Sequence, residues 1–259
     1  MNSNFHTHTT LCRHAVGEMR EYVESAIKSN LKKLGFSDHV PYVFKGNYYS
    51  YFRMYLNDTE GYVKNVLDLK KEYEKDINIY LGFEMEYYPL HFNDTLKFVK
   101  SFSPDYLLLA QHCTKNEYDG VYSGGNKILK EDVLDYVEQV ISGMNTGLFS
   151  YLAHPDLIAI ENNESFYLEQ MKRICLRAKE LDIPLEFNFL GLMENRRYPS
   201  KLFFSLASEC GNTIIYGVDA HSPKELERCN YAEEKANDFL AEFNLKRTEK
   251  IKLLDGTTV

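Results

Sequence analysis

The sequence predicts a parallel α/β sheet, closed as a barrel and folded as one domain over residues 1–259. Short apolar runs of strand length alternate with helical periodicity from one end of the chain to the other, the pattern of successive βαβ units. Side chains of metal-ligand type fall where those runs end, and the carboxyl face is where α/β barrels gather reactive groups. No linker rich in Pro, Gly or Ser and no repeat divides the chain, and barrels of this length commonly stay whole.

The first strand is expected over 4–8, which carries Phe5-His6-Thr7-His8-Thr9. Met19, Tyr22, Val23, Ala26 and Ile27 then recur at helical spacing. A second strand is expected over 33–37, followed by a tyrosine-rich loop over 41–57 and a helix with Tyr62, Val66, Leu69 and Tyr73 on its apolar face. Third and fourth strands follow over 77–84 and 106–111, then a loop over 116–127 with Gly120, Gly124 and Gly125. Long loops in compact domains often carry function, which makes both segments candidate covers for a site. Val133, Val137, Val140, Ile141 and Met144 mark the next helix, and a fifth strand is expected over 149–153. Met171, Ile174, Cys175, Ala178 and Leu181 mark another helix, before strands over 184–189 and 213–218.

Composition narrows the function. With 44% hydrophobic residues the chain can bury a large core, and its net charge of −8 argues against a non-specific nucleic-acid surface. Cys12, Cys113, Cys175, Cys210 and Cys229 are odd in number and form no Cys-x-x-Cys pair, so they read as reduced thiols of a cytoplasmic protein. There is neither a charged-then-apolar leader nor a long apolar run, so neither secretion nor membrane spanning is expected. The sequence is silent on oligomeric state.

The ligand-type residues are the most informative feature. His6 and His8 stand at i and i+2 of a strand and so share one face. His14 follows in the next loop, His39 just after the second strand, Glu84 at the end of the third, His112 after the fourth and His154 after the fifth. Asp219 and His221 close the seventh, in Gly217-Val218-Asp219-Ala220-His221. These nine are more than one ion can use, and neutral imidazoles with carboxylates suit Zn, Mn or Fe. Each residue also has a plainer reading. His154 before Pro155 fits a packed loop histidine, Asp219-x-His221 fits a helix N-cap ahead of Ser222-Pro223, and Glu86 on the same strand face competes with Glu84.

This set, in this order, resembles the polymerase-and-histidinol-phosphatase (PHP) family over nearly the whole chain. The likeness is carried by the His-x-His opening, His14 six residues later, Ser37-Asp38-His39, Gly82-Phe83-Glu84, the isolated His112 and His154, and the closing Asp-x-His. Within the family, Cys12-Arg13-His14-Ala15, Asp38-His39-Val40-Pro41-Tyr42 and Glu84-Met85-Glu86-Tyr87 look most like the histidinol-phosphate phosphatases. The resemblance implies a distorted (β/α)7 barrel of the PHP type holding three divalent ions. His6, His8, Glu84 and Asp219 would serve the first, and Glu84 would bridge to a second completed by His112 and His154. His14, His39 and His221 would hold the third, while His91 matches no ligand position.

The implied activity is hydrolysis of L-histidinol phosphate in histidine biosynthesis, by attack on phosphorus of a hydroxide shared between two ions. Glu84 and Asp219 would stand closest to that chemistry, Asp219 or a neighbouring imidazole helping the leaving alkoxide. A guanidinium fork matches two phosphate oxygens. Arg197 is preferred for that role over Arg196 because it lies nearer Tyr198-Pro199, with Arg13 a further candidate. Asn188 could hold the substrate amine or simply cap a turn. The expected partner is a small phosphorylated substrate, with no nucleic acid and no membrane. Competing expectations are a phosphoesterase for another small monoester, nucleotide ends or phosphotyrosine, and a metal-stabilised binding protein without turnover.

Overall fold

The computed structural model describes residues 1–159, 161 and 163–259, and in it eight parallel strands form one sheet in strict chain order. They are β1 (Ser3–Asn4), β2 (Lys33–Phe36), β3 (Asn78–Glu86), β4 (Tyr106–Ala110), β5 (Tyr151–Leu152), β6 (Leu185–Asn188), β7 (Thr213–Gly217) and β8 (Lys246–Thr248). Helices α1 (Met19–Lys28), α2 (Thr59–Glu72), α3 (Phe92–Lys100), α4 (Lys130–Asn145) and α5 (Glu164–Glu180) connect the first six strands. The short α6 (Phe189–Met193) and α7 (Lys201–Cys210) lie before β7, and α8 (Pro223–Glu227) and α9 (Cys229–Leu240) before β8.

The sheet curls until its ends meet. Just beyond β1 and β7, Thr7 bridges Ala220, with His8 N donating to Ala220 O at 2.8 Å and Ala220 N to His6 O at 3.2 Å. That contact closes the carboxyl rim. At the amino rim β8 pairs with β7, Thr213 opposite Lys246, and Ser3 Oγ reaches Glu249 O at 2.9 Å, so the eighth strand fills the gap between β7 and β1. The expected distorted barrel is present, with β8 added to the seven strands anticipated. Lys246-Arg247-Thr248 offers no apolar alternation to read, because it borders solvent.

Inside the curl, Phe5, Tyr106, Leu108, Ala110, Tyr151, Ala153, Ile215 and Ile251 form a compact core, while a larger one lies between sheet and helices. The Tyr106 ring crosses β2 and β3 so closely that a Cβ on Gly35 or Gly82 would lie 2.2 or 2.4 Å from it. A glycine at both positions lets the barrel fill itself with one ring. Burying this interior stiffens the strands and fixes where their carboxyl ends stand.

The expected helices appear as α1, α2, α4 and α5, each burying its apolar stripe, such as Tyr22, Val23 and Ala26 in α1. No helix among the described residues is long and apolar enough to cross a membrane. All five cysteines are free thiols.

Candidate metal centre

Every one of the nine expected ligand side chains stands at the carboxyl rim, and they converge around Glu84. His6 Nε2 lies 3.3 Å from Glu84 Oε1, His154 Nε2 2.9 Å and His112 Nε2 3.6 Å from the same oxygen. His39 Nδ1 lies 2.8 Å and His8 Nε2 3.6 Å from Glu84 Oε2. Asp219 Oδ1 faces His8 Nε2 at 3.1 Å and His6 Nε2 at 3.4 Å. His14 and His221 complete the rim, their Nε2 atoms 2.9 Å apart, with His39 grouped beside them.

Backbone geometry explains the convergence. Glu84 lies inside β3, where parallel pairing sets it opposite Leu108 and a bridge joins it to His39. His154 and Asp219 both sit at positive φ, 26° and 55°, where the chain turns sharply off β5 and β7. The plainer alternative for Asp219-x-His221, a helix N-cap, does not apply: Ser222 caps α8, with Glu225 completing a capping box and Pro223 in the first turn. Asp219 and His221 are therefore left to face the site.

The donors fit divalent ions. Among the described residues, buried polar atoms without a well-aligned hydrogen bond include His6 Nε2, both nitrogens of His8, His39 Nδ1, Glu84 Oε2 and His154 Nδ1. Such atoms are costly unless something satisfies them. At the rim, His14 Nδ1 lies 2.7 Å from Cys12 O and His221 Nδ1 2.9 Å from Asp219 O. Each carbonyl needs a hydrogen from its Nδ1, so both Nε2 lone pairs point at one another, an arrangement that calls for a cation between them.

Charge is balanced without solvent. Burial pushes Glu84 up, but His112, His6 and His39 outweigh it and hold the carboxyl well below its ordinary range. Burial likewise opposes the ionised Asp219, and His6, His8 and His221 override it. Burial lowers His8, yet Asp219, Asp38 and Glu84 lift it to about 9, while burial and His8 together push His221 down to about 3. Protons and metal ions thus compete for the same cage.

Behind the ligands stand carboxylates to which the sequence assigned no such supporting role. Glu186 Oε1 lies 2.7 Å from His6 Nδ1, and Glu86 Oε1 lies 2.7 Å from His112 Nδ1. Asp38 Oδ1 stands 3.5 Å from His8 Nδ1. A carboxylate that takes one imidazole N–H fixes the ring and makes the other nitrogen a better ligand. Glu86 therefore backs a ligand rather than competing with Glu84. The signal for Glu186 was an acid two residues before Asn188 inside an otherwise apolar strand.

A cavity of about 720 Å³ opens above the cage, lined by His14, His39, His112, His154, Asp219 and His221 beneath and by Tyr51, Phe52, Tyr122 and Arg196 around its sides. The 41–57 loop does cover part of the site, through Tyr51 and Phe52.

Three of the four expected substrate-binding residues lie elsewhere. Arg197 turns away, its Nη2 donating to the carbonyls of Gly124 and Gly125, whereas Arg196 lines the cavity, held by Glu194 Oε2 at 2.7 Å and Tyr198 Oη at 2.8 Å. The preference for Arg197 is corrected, because adjacent loop residues point in opposite directions. Arg13 donates to Ser50 O at 3.0 Å and stacks over Tyr55, outside the cavity. Asn188 is buried with its polar atoms engaged: it caps α6 through Gly191 N and donates to Glu186 and Asp219. It positions the site and leaves no donor for a substrate. His91 packs inside, its Nε2 2.7 Å from Tyr118 Oη.

Comparison with known proteins adds relatives to this geometry. The PHP domain family model matches residues 4–189. The chain is 28% identical to the probable histidinol-phosphatase of Deinococcus radiodurans over 243 residues, covering 85% of this chain and 86% of that one. It is 21% identical over 262 residues to the histidinol-phosphatase of Bacillus subtilis, covering 86% and 98%. In fold it matches the crystal structure of histidinol phosphate phosphatase from Lactococcus lactis complexed with zinc, L-histidinol and phosphate. That match has a TM-score of 0.71 at 18% identity, covering 96% of each chain.

Proposed function

The chain belongs to the PHP domain family, and from that premise we propose that it is a metal-dependent phosphatase that hydrolyses L-histidinol phosphate to L-histidinol and phosphate. The observation that carries the reading is the cage itself: five histidines gathered on the two oxygens of Glu84, open to a cavity of small-molecule size. Curated relatives matched over most of their length bear the histidinol-phosphatase name, which points to the substrate.

In this reading His6, His8, Glu84 and Asp219 would hold one divalent ion, Glu84, His112 and His154 a second, and His14, His39 and His221 a third. Zn, Mn and Fe all suit imidazole and carboxylate donors. Such ions supply a water acidic enough to ionise near neutral pH and a positive seat for phosphate oxygens. The protein's own part is to keep the donors in place and the two carboxylates ionised. Glu84 and Asp219, held ionised, bind the centre together rather than deliver protons. Arg196 offers N–H groups from the cavity wall to the phosphate oxygens. Tyr51, Phe52 and Tyr122 enclose the organic end of the substrate.

The test is phosphate release by zinc- or manganese-loaded protein from L-histidinol phosphate, phosphotyrosine, a nucleotide monophosphate and a simple aryl phosphate. Histidinol phosphate should give the highest kcat/KM. Equal turnover of the aryl phosphate would sink the substrate assignment, and metal uptake without any hydrolysis would sink the enzyme.

A further inference from the structure

Arg53 belongs to the surface loop over 41–57, yet it is only 1% exposed and is the bulkiest of the fully buried side chains. Its Nη2 donates to Glu86 Oε1 at 2.6 Å and its Nη1 to Val40 O at 3.2 Å, while Nε donates to Glu117. Each of those carboxylates leads onward. Glu86 Oε1 also holds His112 Nδ1, and Glu117 Oε2 accepts from Tyr48 Oη at 3.1 Å. One residue earlier in the chain, Phe52 stands edge-on to His39 and His112, with ring centroids 5.3 and 6.0 Å apart, and the guanidinium carbon lies 4.5 Å from the Phe52 centroid.

We propose that Arg53 is a positioning residue: one buried guanidinium, bridging Glu86 and Glu117, fixes His112 for the second ion and holds Phe52 as the wall of the substrate cavity. The physical case is charge and shape together. Glu86 and Glu117 would repel each other in a buried setting without the guanidinium between them, and the Glu86 oxygen that meets the guanidinium is the one that faces His112 Nδ1. A guanidinium can bond two carboxylates along two edges of its plane, which an ammonium on a flexible stem does not reproduce. The loop and the ligand are thereby tied to one group, so neither can shift alone.

The kinetic arm of this inference rests on the phosphatase reading; the ion-retention arm does not. Zinc-loaded full-length protein with Arg53→Gln, Arg53→Lys or Glu117→Gln is dialysed against a graded chelator and its zinc counted by elemental analysis. Kinetics with L-histidinol phosphate follow. Arg53→Gln should release an ion at about 10- to 100-fold lower chelator strength, the usual cost of disturbing a group behind a ligand, and should raise KM. Arg53→Lys should fall between it and the parent in retention. Glu117→Gln, which loosens only the loop arm, should keep the parental zinc curve and raise KM. A folded Arg53→Gln protein with parental retention overturns the inference, as does a parental KM in Glu117→Gln. If Arg53→Gln does not fold, Arg53→Lys decides the retention arm and parental retention there overturns it. If the parent itself fails to turn over histidinol phosphate, the functional reading falls while the zinc curves still decide whether Arg53 supports His112.

Discussion

Glu186 Oε1 lies 2.7 Å from His6 Nδ1 with neither side chain exposed, so a buried carboxylate sets the ring that faces Glu84 and Asp219. The same carboxylate serves twice more, Oε2 accepting from His154 N at 2.8 Å and Asn188 Nδ2 at 2.9 Å. Gly217 makes room for it, since a Cβ there would stand 1.8 Å from Glu186 Oε1. Glu186→Gln should therefore keep the fold and weaken ion binding by about 10- to 100-fold, read by competition with a chromophoric chelator. Gly217→Ala should weaken it too, by pushing the carboxylate aside. Parental affinity in Glu186→Gln would remove Glu186 from the support of the centre.

His112 lines the cavity, with Phe52 and His39 against its ring. His112→Ala would take one donor from the second ion proposed for Glu84, His112 and His154. The protein should hold fewer ions per chain and lose phosphate release to background. Elemental analysis beside a turnover assay checks both. Full activity at reduced ion content would refute a shared two-ion centre.

The nine side chains that converge at the rim were legible because strand ends leave a mark: His6 and His8 at i and i+2, and single donors just past apolar runs, survive any uncertainty about helix lengths. Their partners were not, for physical reasons. Glu186 inside Leu185-Glu186-Phe187-Asn188 is one acid in a buried strand, and nothing local says that it meets His6, 180 positions away. Arg53 looks like a solvated charge in a tyrosine-rich loop, because burial by two distant carboxylates has no periodicity. The barrel was legible from alternation, whereas β8 is polar and α6 and α8 span only five residues each. Neighbouring Arg196 and Arg197 are indistinguishable in sequence, and only the carbonyls of Gly124 and Gly125 decide which one turns away.

That difference is measurable. Arg196 lines the cavity while Arg197 ties two loops together at the surface. Arg196→Ala should raise KM for histidinol phosphate by about 10-fold or more, as loss of a hydrogen bond to a charged group would give. Arg197→Ala should change KM less and lower kcat little. Steady-state kinetics of both variants settle the assignment, and the reverse ranking would return the phosphate to Arg197.

Asp156 carries a pH dependence away from the catalytic chemistry. It is buried, and its Oδ2 accepts from Ser200 N at 2.6 Å. Burial outweighs the hydrogen bonds from Ser200 and the nearby His154, pushing the carboxyl up to about 6 from an ordinary value of 3.8. An acid raised on folding holds its proton in the folded chain while the unfolded chain has already lost it. Between roughly pH 4 and 6 the folded state therefore binds more protons, so stability falls as pH rises through that window. Above it the full cost is present, about 2–3 kcal/mol for a shift of this size. Asp156→Asn keeps an oxygen to accept from Ser200 N and removes the charge. In ion-free protein, urea unfolding should find the variant more stable than its parent by about 2 kcal/mol at pH 7.5, with the advantage shrinking toward zero near pH 4. Titrations common to both proteins cancel in that difference. An advantage equal at the two pH values, or absent at both, would show that Asp156 is not the group being held neutral.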